Sequence, residues 1–531
     1  MNLVKDPWLP FRLRDGSEQV LPMSAICRTD VVDFALHRAD FQGAAYQFAI
    51  GLLQTVFAPA DKYEWHNRYE LLPDKEVLKK AFDQVAHAYK VTGDGPLFMQ
   101  DYQLLENQQP TTVSGLLIEA PGANGIKLNT DHFVKRGIGE VMSLEMAVLA
   151  LFTLQINAPS GGAGHRVGLR GGGPLTTLVL PQSADANLWQ KLWMNVVSKD
   201  FWRYPEPNFN DGSVFPWLTP TKTSEKKGSE IYVDSVHPLH MYWAMPRRIR
   251  LEVESNEAEC QISGKLADQT VYEYRTQNYG GNYSGKWEHP LTSYKWNPKK
   301  PDEEPLSAKG QPGGITYKVW DALTFSSDVE GQKCALVVQY YSHICSLFPE
   351  MHSEVPRLWV FGYDMDNMKA RCWYSAMMPL FSVEPEQEED TLNAVKTLQK
   401  LASDALWHCR TQIKAAWFES PGDVKGDMSF IDLAFWQRSE PAFYLAVSQL
   451  VTNSVKESPF LAPAQAGDWL HSLQGTVTDL FDEYALSELG TERSMAKRIK
   501  ARHALTGWLY GGKDIKVFIK EQKIDQLKEA G

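Results

Sequence analysis

Residues 160–174 read SGGAGHRVGLRGGGP, and the patterns on either side of them indicate the fold class. Before them, apolar residues recur at helical spacing from about Ser143 to Ile156; after them, residues 175–180 form the strand-like run LTTLVL. Spacings of three and four residues favour a helix, whereas a short β-branched run beside Gly and Pro favours a strand. A helix, a glycine-rich turn and a strand in this order predict an α+β domain.

The rest of the N-terminal sequence continues this mixed pattern. A helix is predicted over 40–56, closed by Pro59, and alternating tyrosine and polar residues predict hairpins over 249–294. Proline and charge dominate residues 299–314, which predicts a surface loop. Residues 1–383 are therefore predicted to form an irregular globular α+β domain.

The composition changes at residues 384–390, where EPEQEED marks a charged linker or a helix start. Beyond it, apolar residues from Leu392 to Ile413 keep a helical period. Three further helical stretches follow, near 428–453, 467–486 and 489–510. Four helices joined by short loops with Gly or Pro predict a four-helix bundle over residues 390–531.

Composition and charge narrow the functional classes. The chain of 531 residues is long enough for two domains, and its longest apolar runs are too short for a membrane span. No apolar signal-peptide core follows the first residues, so we expect a cytoplasmic protein. The net charge of −11 is unusual for a nucleic-acid binder, so any DNA contact must come from local basic patches or partner subunits.

The six cysteines predict neither a disulfide framework nor a local zinc site. They are scattered, and no two stand in a C-x-x-C pair. Catalytic motifs such as H-E-x-x-H and G-x-S-x-G are also absent from the sequence. We therefore expect reduced, mostly buried thiols, no cofactor or metal, and no catalytic centre.

The glycine-rich segment, residues 160–174, has two interpretations. Glycines allow backbone N–H groups to approach a phosphate or a base edge, and Arg166 and Arg170 could add charged contacts. Neither G-K-[ST] nor G-x-G-x-x-G is present, so the segment is not a known nucleotide loop. A structural loop and a ligand-binding loop both remain open.

Two other segments combine charge with aromatic or apolar side chains. Residues 131–137 (DHFVKRG) suit backbone contact plus stacking, although a solvated basic turn has the same pattern. Residues 361–371 (FGYDMDNMKAR) lack the third ligand of a calcium loop. Their turn could instead present Asn367 and Met368 as a polar and an apolar wedge between base pairs.

The last predicted helix carries a basic face. Arg493, Lys497 and Lys500 stand at i, i+4 and i+7, and Arg498 and Arg502 widen this face. Such a stripe is either a solvated helix surface or a track for an anionic strand.

In their order along the chain these segments resemble the large subunit of the type I-E CRISPR Cascade complex, the CasA family. The resemblance covers essentially the whole sequence, and the glycine-rich segment is its most specific part. The similar residues are Met1-Asn2-Leu3, Trp8-Leu9-Pro10 with Arg12, Phe133-Val134, Ala158-Pro159, Gly168-Leu169-Arg170-Gly171-Gly172 with Pro174 and Thr176-Thr177, and Gly362-Tyr363 with Asn367 and Arg371. The resemblance implies an N-terminal globular domain, a C-terminal four-helix bundle and a subunit that is not an enzyme.

The resemblance also implies that the protein inspects duplex DNA for a short protospacer-adjacent motif (PAM) on behalf of an antiviral guide-RNA complex. It assigns backbone contacts with the motif to one loop and contacts near the motif and the 5′ handle of the guide (crRNA) to another. The first loop is Ser160, Gly161, Gly162, Ala163 and Gly164, and the second is Phe133, Val134, Lys135 and Arg136.

Strand separation is the next step that the resemblance implies. Asp366, Asn367 and Met368 form the implied wedge below the motif, where R-loop formation starts. The bundle helps to hold displaced DNA, for which Arg493, Lys497 and Lys500 are the candidate contacts. The implied partners are the other Cascade subunits, the crRNA handle, the double-stranded target and a trans-acting helicase–nuclease.

Three departures from the family pattern concern individual residues. Some relatives carry a four-cysteine zinc site, but Ser143 and Met146 stand at its first pair and only Cys260 remains near its second, so we expect no zinc. The wedge often presents Gln, whereas this chain has the shorter Asn367. A motif-contacting Lys has no clear counterpart, and the candidates for its role are Arg275, Asn282 and Lys286.

Two other functions fit parts of the pattern. A stand-alone enzyme that uses a nucleotide or phosphate could hold its ligand on residues 160–173, and it would show saturable nucleotide binding that Gly162→Asp abolishes. A scaffold subunit without DNA contact is the other alternative, and crosslinking from the glycine-rich segment to target DNA would exclude it.

Overall fold

The computed structural model describes residues 1–120, 137–162, 164–300, 302–348, 351, 355–366, 368–423, 426–453, 460–487 and 492–528. The chain forms two compact units. The first comprises Met1–Gly310, Asp328–Ile344 and Arg357–Ser375, and the second comprises Gln311–Ser327, Cys345–Pro356 and Ala376–Gly531. Each unit is built from three segments, and the division into 1–383 and 390–531 stays a prediction about independent domains.

Short strands and helices alternate irregularly through the first unit. The strands are β1 (Leu9–Leu13), β2 (Glu18–Leu21), β3 (Val31–Phe34), β4 (Thr111–Thr112), β5 (Met142–Ser143), β6 (Thr176–Leu180), β7 (Arg248–Glu254), β8 (Ala258–Glu259), β9 (Leu266–Ala267), β10 (Thr270–Gln277), β11 (Tyr294–Lys295), β12 (Leu306–Ser307), β13 (Gln332–Lys333), β14 (Arg357–Asp366) and β15 (Lys369–Pro379). The helices along the chain are α1 (Ala39–Val56), α2 (Lys62–Glu70), α3 (Lys75–Asp83), α4 (Leu144–Asn157), α5 (Leu188–Trp193), α6 (Trp320–Thr324), α7 (Leu336–Leu347), α8 (Glu388–Trp417), α9 (Ser429–Thr452), α10 (Pro463–Phe481), α11 (Glu492–Gly511) and α12 (Lys513–Glu521).

Two of the sheets position the segments of interest. β14 lies between β6 and β15, and β14 pairs antiparallel with β6 from Arg357↔Leu180 to Phe361↔Thr176. β7 and β10 form a long antiparallel ladder that ends at Gln277↔Arg248. The glycine-rich segment joins α4 to β6, so it emerges directly beside both β14 and the end of the β7–β10 ladder.

The predictions for this part of the chain are largely confirmed. α1, α4 and β6 occur where the apolar periodicity placed them, and β7 and β10 are strands of the predicted hairpin region. The surface loop predicted over 299–314 is wrong in part, because β12 lies within it and pairs Tyr294↔Ser307 with β11. Sequence periodicity cannot predict a two-residue strand that depends on a distant partner strand.

Aromatic packing holds the core of the first unit together. Phe48 on α1 is fully buried and contacts five other aromatic rings edge to face, with centroids 5.5–5.8 Å apart. These rings are Trp8, Tyr89, Phe98, Phe152 and Trp243. Edge-to-face pairs add about 0.5–1.5 kcal/mol each beyond area burial. The core therefore fixes α1 and α4, the helix from which the glycine-rich segment departs.

Four long helices dominate the second unit, as the sequence predicts. α8, α9, α10 and α11 pack on one another, and the short α12 follows α11. The acidic stretch proves to be a helix start, with Glu388, Glu389 and Asp390 in the first turn of α8, where the helix dipole favours negative charge. Tyr317 lies within this unit and stacks on Phe443 at a centroid distance of 4.2 Å. Among the described residues, no helix has the length and apolar character that crossing a membrane requires.

Candidate nucleic-acid interface

The loop Ser160–Gly164, called the glycine loop below, closes on itself just after α4. The N–H of Gly161 donates to the carbonyl of His165, and the N–H of His165 donates to that of Gly162, both at 3.3 Å. Ala163 lies outside the described residues. Two short-range bonds therefore shape the loop from within, without help from a helix or strand.

Gly161 has no space for a side chain. A Cβ on this residue would lie 2.5 Å from the Cβ of His165 and 3.0 Å from Nη1 of Arg247. The first distance is shorter than any real contact between carbon atoms allows. Glycine at this position is what lets the loop settle against Arg247.

The outer part of the glycine loop offers backbone donors. The carbonyl of Gly164 accepts from the N–H of Tyr279 at 2.9 Å, which ties the loop to the chain after β10. The N–H groups of Gly162 and Gly164 donate to no acceptor among the residues that the structure describes. Gly162 is exposed, and a Cβ there would meet nothing within 4 Å. Its amide is open to an approaching acceptor.

The two arginines of the glycine-rich segment do not reach outward as expected. Arg166 donates to the hydroxyl of Ser224 at 2.7 Å and to its carbonyl at 2.8 Å. Arg170 is 4% exposed and donates to Gln47 at 2.8 Å and Thr176 at 3.0 Å. Burial lowers the pKa of Arg170 to about 10, so it stays charged at neutral pH. Arg170 is a structural residue of the core, and its predicted phosphate contact is wrong.

β14 and β15 form a hairpin, residues 357–379, whose tip is the predicted wedge. Asp366 is exposed, and Met368 is 53% exposed at the turn. Asn367 lies outside the described residues. Met368 is thus an exposed apolar side chain at the turn of the hairpin, and apolar side chains are the kind that proteins insert between base steps.

Two contacts stiffen the hairpin near its tip. The buried carboxylate of Asp364 accepts two hydrogen bonds from Arg371, at 2.6 and 3.1 Å. Such a bidentate pair holds the two strands at a fixed separation. Gly173 packs directly against the side chain of Met365, so the glycine-rich segment contacts the hairpin just below its tip.

A cleft of about 300 Å³ lies at the side of this hairpin. Arg38 donates to Asp40 at 2.7 Å and to Glu119 at 2.7 Å, so its charge is neutralised. Tyr363 donates to Asp40 at 2.5 Å, and burial together with this carboxylate raises the pKa of the phenol. Arg38 and Tyr363 thus both have carboxylate partners at this cleft.

The three candidate contacts on the β10 side differ in their surroundings. Arg275 pairs with Glu252 and donates to the carbonyl of Glu106 at 2.9 Å, so its donors are used inside the protein. Asn282 is half-buried, and its carbonyl accepts from Ile231 at 2.8 Å. Lys286 is exposed. Lys286 is therefore the most exposed of the three residues.

The remaining predicted contacts lie elsewhere. Phe133, Val134, Lys135 and Arg136 fall outside the described residues. In the second unit, Lys497 and Lys500 lie on α11, where Lys497 pairs with Glu419 at 3.4 Å and Lys500 is exposed. The backbone of Arg493 belongs to the same helix, and its side chain is not among those described.

Sequence reasoning missed Arg247. This residue is 9% exposed, lies against the glycine loop and donates to the carbonyl of Pro159. The only sequence signal is the basic run RRIR at 247–250. Nothing local in that run shows which of its arginines points toward the loop, because the loop is about 85 residues earlier in the chain.

The positions aligned with the zinc site of some relatives have another role here. The hydroxyl of Ser143 caps α4 by accepting from the N–H of Met146 at 3.3 Å. Cys260 is buried. A hydroxyl, a thioether and one thiol are not the donor set of a structural zinc site. Within the described ranges no group of three or more His, Cys, Asp or Glu could hold a metal ion.

Comparisons with known proteins give one family model and several solved structures. A family model described as CRISPR-associated protein Cse1 matches residues 2–480. Cse1 from Acidimicrobium ferrooxidans is similar in structure at 14% identity, over 98% of this chain and 99% of that chain, with a TM-score of 0.67. CasA (Cse1) from Thermus thermophilus is similar at 15% identity, over 96% and 99%, with a TM-score of 0.66.

A chain of a solved CRISPR RNA-guided surveillance complex is also similar. The identity is 15% over 95% of this chain and 99% of that chain, with a TM-score of 0.67. At such identities the structural matches show the fold, and they confirm the predicted α+β class with a C-terminal bundle.

Proposed function

The chain belongs to the CRISPR-associated protein Cse1 family, and we propose that it serves, without catalysis of its own, as the large subunit of a type I-E RNA-guided surveillance complex. In this role it recognises the PAM in duplex DNA, starts the strand separation that leads to the R-loop, and recruits the helicase–nuclease. Its partners are the other Cascade subunits, the crRNA 5′ handle and the target duplex, in the cytoplasm. The similarity to a chain of a solved surveillance complex supports this role.

One observation carries the proposal: the glycine-rich segment contacts the hairpin just below its exposed tip. Gly173 packs on Met365, and Met365 is three residues before the exposed Met368. A motif reader and a wedge must act on neighbouring base pairs, which are about 3.4 Å apart along the duplex. The contact between the two segments supports a mechanism in which the glycine-rich segment holds the motif and the hairpin tip separates the adjacent base pair.

The open amides of the glycine loop suit the minor groove. Base edges there present mainly the acceptors N3 of purines and O2 of pyrimidines. The N–H groups of Gly162 and Gly164 are donors that no described acceptor occupies. Because the minor-groove pattern is degenerate, backbone donors would accept several related motifs rather than one sequence.

The energetics of opening favour a small wedge. Guide pairing replaces DNA pairing at nearly balanced free energy, so the protein needs only to start the exchange. Unstacking one base step costs a few kcal/mol. Burial of the exposed Met368 side chain between bases, together with motif contacts at the glycine loop, can offset that amount.

The proposal also assigns roles to residues 133–136 and to the basic residues of α11. Phe133, Val134, Lys135 and Arg136 lie near the motif and the crRNA handle. Lys500 on α11, with Lys497 and Arg493 on the same helix, contacts the displaced strand. Lys497 contributes less, because Glu419 already pairs with it.

A nucleotide-using enzyme is the alternative, and the local fold argues against it. Phosphate-binding loops that serve nucleotides lead into the N-terminus of a helix, whose dipole and free N–H groups hold the anion. Here residues 160–174 follow the C-terminus of α4 and lead into β6. The helix end at this segment carries the opposite partial charge.

The decisive experiment reconstitutes the guide complex from its other subunits and a crRNA, with and without this chain. Binding of target duplexes that carry or lack the flanking motif is then measured by electrophoretic mobility shift. We expect stable binding only when both the chain and the motif are present. Equal binding without the chain would contradict the proposal.

A further inference from the structure

A buried positive charge without a counter-ion lies beneath the glycine loop. Arg247 is 9% exposed, and none of the described carboxylates forms an ion pair with it. Its neighbour Arg248 is 2% exposed but donates to the buried Asp101 at 2.6 Å. Arg247 directly precedes β7 and Arg248 is its first residue, yet only Arg248 has a carboxylate partner among the described residues.

The guanidinium of Arg247 is only partly satisfied. Nη2 donates to the carbonyl of Pro159, where the chain enters the glycine loop. Nε is buried and has no hydrogen-bond partner in the part of the chain that the structure describes. Nη1 faces Gly161, where a Cβ would lie only 3.0 Å away. Of these donors, Nη1 is the one that lies against the glycine loop.

Such an arrangement is unfavourable in the protein alone. Buried charges are normally paired, and each unsatisfied buried donor calls for an explanation. Burial lowers the pKa of Arg247 to about 10, so the charge persists at neutral pH. The pKa of His165, in the glycine-rich segment, is lowered first by burial and second by the positive charge of Arg247. An anion at the loop would remove this penalty.

We propose that Arg247 gives the glycine loop a subsite for one backbone phosphate of the target DNA duplex. This inference rests on the proposed function and adds a charged residue to a loop otherwise described by its backbone. Nη1 of Arg247, which lies against Gly161, and the open N–H of Gly162 supply the donors. Guanidinium and backbone N–H groups together are a common phosphate-binding set.

The test measures the salt dependence of target binding by the reconstituted complex. Binding is compared at 50 and 200 mM KCl for the wild type, Arg247→Met and Arg247→Lys. Arg68→Met is the matched control, because Arg68 also donates to a carbonyl, that of Phe57 at 2.8 Å, but has the carboxylate partner Glu64. Thermal melting of each variant reports whether the chain still folds.

One phosphate contact changes the dissociation constant by about 3.5-fold over this range of salt. We expect the weakening caused by Arg247→Met to be about 3.5-fold larger at 50 than at 200 mM KCl. Arg247→Lys and Arg68→Met should leave the salt slope unchanged. If Arg247→Met weakens target binding by the same factor at 50 and at 200 mM KCl, the inference is overturned, because Arg247 would then only hold the loop in place.

A second measurement uses only the wild-type chain, so its result does not depend on whether a variant folds. Each phosphate flanking the motif is replaced in turn by a neutral methylphosphonate, and binding by the wild type is measured. One position should weaken binding by several-fold at low salt; no such position would overturn the inference. Stabilisation of the isolated chain by ATP, abolished in Arg247→Met, would also overturn it in favour of a free nucleotide. If the wild type shows no motif-dependent binding at all, the proposed function itself fails.

Discussion

Gly161 is the residue at which the glycine loop depends most directly on the absence of a side chain. Its Cβ position is blocked by His165 at 2.5 Å and by Arg247 at 3.0 Å, whereas Gly162 next to it has open space. Overpacking of this kind costs about 1–3 kcal/mol. Because 1.4 kcal/mol is a factor of ten in affinity, we expect Gly161→Ala to weaken motif-dependent binding about tenfold or more.

Gly162→Ala is the matched control for this prediction. A methyl group there meets nothing within 4 Å, so the loop keeps its shape and binding should change far less than in Gly161→Ala. Both variants should still fold, since the loop is at the surface, and Gly162→Ala should melt at the wild-type temperature. Equal losses in both variants, measured by target titration, would show that flexibility and not close packing is what the glycines provide.

The individual residues also show how far the sequence alone could predict the site. Composition is enough to predict that residues 160–174 form a loop with accessible backbone, because glycine and proline act locally. It could not predict that Arg170 turns inward. That direction is decided by Gln47 and Thr292, which are more than 120 residues away and reach Arg170 only in the folded protein.

The hairpin β14–β15 is the element that the proposed strand opening depends on. Met368 is 53% exposed at its turn, and Met377 on β15 is 49% exposed away from the turn. Met368→Ala removes the apolar surface that would enter the base stack, so we expect several-fold slower strand opening with intact complex assembly. The fluorescence of 2-aminopurine placed next to the motif measures the opening rate.

Met377→Ala serves as the control for the loss of an exposed methionine. It should open the target at the wild-type rate, because the changed side chain is remote from the hairpin tip. If the two variants slow the opening equally, or neither does, the tip is not a wedge. Asn367→Ala combined with Met368→Ala should deepen the defect if both side chains act together.

Elements differ in how well local patterns predict them. The bundle helices α8 to α11 follow the apolar periodicity closely, because a helix forms its hydrogen bonds within its own segment. β12 was missed because its two residues become a strand only by pairing with β11. The hairpin β14–β15 lies between these cases. Its turn is predictable from the sequence, but the contact of Met365, below the tip, with Gly173 is not.

At the scale of the whole molecule, net charge opposes the proposed activity. The chain carries −11, and several surface arginines are already paired, such as Arg28 with Asp30 and Arg438 with Glu483. A duplex carries two phosphate charges per base pair, so long-range repulsion works against encounter. The charge of Arg247 at the glycine loop acts only at short range, because physiological salt screens charges beyond about 8 Å.

This balance predicts that the isolated chain binds a motif-bearing duplex weakly. We expect a dissociation constant above about 10 µM at 150 mM salt, within the range of non-specific binding. The same chain in the complete guide complex should bind far more tightly, because the crRNA pairs with the target and the other subunits contribute contacts. Fluorescence anisotropy with one labelled duplex measures both states. Tight, motif-dependent binding by the isolated chain would mean that the local donors at Gly162 and Arg247 overcome the net charge without partners.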